Sequence, residues 1–133
     1  ICTLPDVPML YAGQEMGMTE PREPLEWGGD DDLTRFHRRL LHTRNGSPVL
    51  THGSFERIDH DPDSDHGVAF ARDHEGERRV VVLNFGADPL DVWVDAALEP
   101  TDMVSGESVP VERHADGDGT TVTVDSVAVF ETA

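Results

Sequence analysis

The sequence predicts a mainly β protein, an antiparallel β-sandwich from residue 51 onward with a short β/α segment ahead of it, and three observations carry that expectation. From Gly53 the apolar residues recur with period two, in short runs separated by Gly, Pro and Asp clusters, which is the pattern of an antiparallel sandwich. Before it, a single stretch of helical periodicity marks one amphipathic helix. Earlier still, Val7-Pro8-Met9-Leu10-Tyr11 is a nearly continuous apolar run, the form of a strand buried on both faces.

Pro8 cannot donate to a ladder, so it belongs at the first residues of that strand. Gly13, Glu15 and Gly17 follow as turn and polar residues, and in a parallel β/α barrel the segment after a strand's C-terminal end forms the ligand face. The helix is expected over residues 32–44. Leu33, Phe36, His37, Leu40 and Leu41 fall on one face, Asp30, Asp31 and Asp32 complement its N-terminal dipole, and Arg38, Arg39 and Arg44 its C-terminal half. Asn45-Gly46 stops it.

In the sandwich, Phe55 and Ile58 flank a first strand, Val68 and Phe70 mark a second, residues 80–85 a third, and Leu90, Val92 and Val94 a fourth. Weaker strands are expected at Met103-Val104 and at residues 109–112, and clear ones at 122–124 and 127–130. The domain boundary falls between residues 50 and 51.

Composition sets the surroundings. The chain has 133 residues, enough for one core but short of the roughly 250 of a complete β/α barrel. Its formal charge is −17, from 27 acids against 10 basic residues, and every one of those ten is Arg. The acids occur in every loop rather than on one face, so the reading is adaptation to high salt, where a Debye length of about 3 Å near 1 M screens their repulsion. Nucleic acid is excluded as a partner by the same charge. Cys2 is the one cysteine, so no intrachain disulfide forms. No apolar run is long enough to span a bilayer, and any secretion signal is expected upstream of Ile1, which leaves the compartment open.

Several segments, in order, resemble the α-amylase family of glycoside hydrolases. Residues 7–15, Val-Pro-Met-Leu-Tyr-Ala-Gly-Gln-Glu, are similar to that family's eighth barrel strand and following turn, with Asp6 standing where the family usually has Gly. Residues 21–27 are similar to its Arg-x-Pro-Met-x-Trp loop. The helix ending Leu40-Leu41-His42-Thr43-Arg44, the connection through Ser47-Pro48-Val49-Leu50 and Gly53-Ser54-Phe55, and Val81-Val82-Leu83-Asn84-Phe85 continue the series. The resemblance implies residues 1–50 as the last strand, loop and helix of a (β/α)8 TIM barrel, and residues 51–133 as the family's C-terminal Greek-key sandwich.

It also implies where the chemistry lies. The family's nucleophile, acid and transition-state-stabilising carboxylates come from the fourth, fifth and seventh barrel strands, so this chain is expected to hold no catalytic residue and to be inactive alone, while an intact parent would be a retaining enzyme of α-glucosidic bonds with two carboxylates about 5–5.5 Å apart. Glu15 is read either as a turn-fixing acceptor or as support of a sugar pocket. Arg22 is either a contact to sugar hydroxyls or an active-site carboxylate, or a surface ion pair with Glu20 or Glu26. Trp93 alternates with inward Leu90, Val92 and Val94, so its ring either stacks on a pyranose or covers an interface.

No cofactor is called for. The loop Asp59-His60-Asp61-Pro62-Asp63-Ser64-Asp65-His66-Gly67 lacks the Gly and Glu of a twelve-residue calcium loop and reads as a solvated hairpin loop, the seven His lack zinc-type spacing, and Asp116-Gly117-Asp118-Gly119 reads as a hairpin turn. The expected partners are the parent's catalytic barrel and an α-glucan or maltooligosaccharide, with self-association through orphaned apolar residues Leu10, Tyr11, Leu33, Phe36 and Leu40. The alternative is a free-standing carbohydrate-binding or purely structural sandwich.

Overall fold

The computed structural model describes residues 1–20, 23–25, 27–114 and 119–133. A 3-10 turn, Gln14–Met16, precedes helix α1 (Asp31–Asn45) and the short helix α2 (Pro48–His52). The strands are β1 (Ser54–Arg57), β2 (His60–Pro62), β3 (Gly67–His74), β4 (Glu77–Asn84), β5 (Leu90–Val94), β6 (Val111–Arg113), β7 (Thr120–Val124) and β8 (Val127–Glu131). They form two antiparallel four-stranded sheets, in the orders β1-β3-β4-β8 and β2-β5-β7-β6.

Alternation along the strands decides what is buried. Ala69, Val80, Val82, Ala128 and Phe130 of the first sheet meet Leu90, Val92, Val94, Val122 and Val124 of the second in the main core. The first sheet is buried on its other face as well: Phe70, Val81 and Val129 cluster there with Leu50 and Val104, and Phe36 and Leu40 of α1 pack on them. The molecule is therefore three layers deep, helices on a sheet on a sheet. Each fully buried valine or larger apolar side chain contributes about 1.5–3 kcal/mol, so this second interface is a substantial share of the stability.

Helix α1 begins where Asp30 Oδ1 accepts from the N–H groups of Asp32 and Leu33, both at 2.9 Å, and it ends against Gly46. Its apolar face is split. Phe36 and Leu40 turn toward the sheet, which removes them from the orphaned set that the sequence suggested; His37 and Leu41 line a groove on the helix's other flank. Between β3 and β4 the two-residue loop Glu75-Gly76 has positive φ at both positions, 51° and 87°, the turn whose twist matches the flanking strands.

Three local expectations are corrected. Residues 7–11 form no strand, because a strand is defined by its ladder and no described segment pairs with them. The Asp-rich loop contains a strand: β2 pairs with β5, matching Asp61 to Trp93 and Pro62 to Val92. Met103-Val104 is a turn, and this stretch has a different task. Ala97, Glu99 and Met103 run along the outer edge of β8, bonded through Ala133 N–H to Ala97 O (2.8 Å), Glu99 N–H to Glu131 O (2.9 Å) and Met103 N–H to Val129 O (2.8 Å). That edge is covered and offers no template for another chain.

Candidate functional site

The ligand-side loop is a compact turn. Gly13 and Gly17 flank the 3-10 turn in left-handed conformations, φ 93° and 78°, and Met18 N–H returns to Gly13 O at 3.1 Å. Glu15 lies inside it. Its Oε2 accepts from the Gly13 N–H at 3.1 Å, and its backbone carbonyl accepts from the Thr34 hydroxyl of α1 at 2.9 Å, fastening the loop to the helix. The half-buried Glu15 also borders a groove of about 540 Å³ with Leu10, Tyr11, His37, Leu41 and His42. Tyr11 is 56% exposed, and Trp27, farther along the loop, 84%. Arg22 lies outside the described residues.

Trp93 is half-buried on the outer face of the second sheet, in register between Asp61 of β2 and Thr121 of β7. Its ring lies over Gly119, where an added Cβ would stand 2.7 Å from Nε1 and 2.8 Å from Cε2. Glu15 belongs to the helix layer on the far side of the first sheet, so the sandwich separates the two candidates.

The feature that sequence reasoning missed is a pair of buried guanidinium groups. Arg44, in the last turn of α1, donates from Nη1 to Cys2 O (3.0 Å), Leu4 O (2.9 Å) and Leu50 O (3.1 Å), and from Nη2 to Asp6 O. Arg72, in β3, donates from Nε to Ser54 O (3.0 Å), from Nη1 to Thr3 O (2.7 Å) and from Nη2 to Gly53 O (2.6 Å). Among the described residues no carboxylate pairs with either. Burial pushes the Arg72 guanidinium below its ordinary pKa, and the charge of Arg44 adds to that. No sequence signal distinguishes these two arginines from the other eight.

Among the described residues no group of three His, Cys, Asp or Glu side chains could hold a metal ion, and no helix is long and apolar enough to cross a membrane.

No family model matches the chain. Solved structures do. The maltogenic α-amylase AmyB of Thermotoga neapolitana superposes with a TM-score of 0.77 at 19% identity, over 98% of this chain and 34% of that one. The α-amylase of H. orenii gives a TM-score of 0.76 at 22% identity, over 99% and 33%. The fold is thus that of the C-terminal part of α-amylase-family enzymes. In sequence, the chain is 46% identical over 134 residues to the α-amylase MalA of Haloarcula japonica, a match that takes in 96% of this chain and 20% of that protein. The chain is a homologue of part of an α-amylase-family glycoside hydrolase and spans about a fifth of that relative's length; the relative's haloarchaeal source agrees with the acidic, lysine-free composition.

Proposed function

We propose that the chain is a non-catalytic part of an enzyme acting on α-glucosidic bonds, which stabilises the catalytic barrel and supplies a loop at its ligand face. The match to one fifth of MalA over nearly the whole of this chain carries the reading. In it, residues 1–50 belong with the barrel as its last strand, loop and helix, and residues 51–133 are the sandwich. Exposed apolar residues support this division: Val7 (92%), Met9 (76%), Tyr11 and Trp27 gather in the N-terminal segment, where barrel neighbours would cover them. The groove beside Glu15 and Tyr11 takes such a neighbour, and in its absence a second copy of the same surface. Glu15 and Arg22 serve the sugar site from the loop, and Trp93 is the sandwich's own candidate for stacking on a glucan.

The test uses the chain alone and in combination with a MalA truncated of its matching fifth, assayed on starch in high salt. The chain alone should be inert, the truncated amylase feeble, and the mixture or the rejoined polypeptide active. Full activity of the truncated amylase, or hydrolysis by the chain alone that disappears on substituting one of its own acids, would sink the proposal. Titration with maltooligosaccharides, comparing the chain with Trp93→Ala, reads the sandwich's share: loss of a measurable affinity supports the glucan contact, and no binding by either refutes it.

A further inference from the structure

Residues 1–10 carry no helix or strand, and among the described residues no backbone–backbone hydrogen bond ties them to the rest of the chain. Their apolar cover is thin, since Cys2 and Thr3 are buried while Leu4 through Val7 are exposed. The fastening comes from two side chains. Arg44 and Arg72 together grip the carbonyls of Cys2, Thr3, Leu4 and Asp6, and with their remaining donors they hold Leu50, Gly53 and Ser54 on the body. Arg72 thus bridges the segment to the sandwich, and Arg44 bridges it to the two helices.

We propose that residues 1–10 form a strap that opens as a unit while the sandwich stays folded, with Arg44 and Arg72 as its latch. Two opposing forces act on the strap. Closing gains charge-assisted bonds to carbonyls, but it holds two cations in a dry site with no anion; opening returns both to water and relieves their repulsion. A segment held in this way belongs to the low-stability end of the fold, where local opening precedes global unfolding. The test of the latch needs no enzymatic activity, so its failure is distinguishable from failure of the proposed function.

Cys2 makes the opening measurable, because it is the one thiol and it is buried. Its reaction with dithionitrobenzoate in rising urea should be nearly flat in rate below the global transition, as expected of an opening that exposes little surface. Arg72→Met should speed labelling about tenfold or more, and Arg72→Lys, which keeps the charge but fewer donors, by less. Hydrogen exchange checks that the sandwich stays closed: in Arg72→Lys the amides of β3 and β4 should keep their protection. Labelling of the wild type that follows global unfolding with its full urea slope would overturn the strap. A folded Arg72→Met that labels at the wild-type rate would overturn the latch, and loss of protection in β3 and β4 of Arg72→Lys the opening of the strap by itself. Should Arg72→Met not fold, the wild-type urea profile and Arg72→Lys decide.

Discussion

Asp102 and Val129, 27 residues apart in sequence, are joined by a 2.9 Å hydrogen bond from the Val129 N–H to Asp102 Oδ1. The same oxygen accepts from the Val104 N–H at 3.0 Å, and Oδ2 from the Ser105 N–H at 2.9 Å. One buried carboxylate thereby closes the turn at 102–105 and seals it on the edge of β8. Asp102→Ala would leave three backbone donors without their acceptor, two of them buried. A loss on the order of 3 kcal/mol is expected, seen as a melting temperature lower by on the order of 10 °C. Asp102→Asn, which keeps the shape and part of the accepting capacity, should fall between. A neutral Asp102→Ala would show that the β8 edge is held by its backbone bonds alone.

The contact of Trp93 with Gly119 gives a second prediction. Gly119 has φ 93°, and a Cβ there would meet the indole and the carbonyl of Val94. Gly119→Ala adds backbone strain to that collision and should destabilise by on the order of 2–4 kcal/mol. Because the ring must move, the Trp93 fluorescence spectrum should shift in the folded variant. Unfolding in urea checks the first outcome and emission in a Trp27→Phe background the second; wild-type values in both would mean that the ring does not depend on that close approach.

The charge imbalance of 27 acids to 10 arginines predicts a protein stabilised by salt. Among the described residues the ion pairs are few and each has at least one exposed side chain, as with Arg35 and Asp32, so they offset little of the repulsion. Shortening the Debye length from about 10 Å at 0.1 M to about 3 Å at 1 M removes most of it. Calorimetry in KCl should show the melting temperature rising steeply over this range. A flat or falling curve would mean that local pairing already compensates the acids.

The exposed residues of the N-terminal segment predict concentration-dependent self-association in salt. Val7→Ser, Met9→Ser and Trp27→Ser in combination should reduce it without altering the melting of the sandwich, because none of the three is in either core cluster. Sedimentation velocity over a concentration series is the measurement. A strict monomer throughout would mean that this surface is not adhesive.

The sequence by itself determined the helix and the main strands, because each is written in local periodicity: Phe36 and Leu40, at helical spacing, pack on the second core, and Leu90, Val92 and Val94, alternating with Asp91 and Trp93, are buried as that pattern requires. It also determined the acidic, salt-adapted surface and the ordered motifs of the loop around Glu15. Tertiary structure alone decided the rest. The run at Val7–Tyr11 has a strand's composition and no strand, since a ladder needs a neighbour that local sequence does not reveal. β2 has no apolar alternation at all and exists because β5 offered it an edge. Arg44 and Arg72 look like surface charges wherever they stand in a pattern of polar and apolar residues. Only the convergence of seven carbonyls, from residues between Cys2 and Ser54, gives their donors partners enough to leave water.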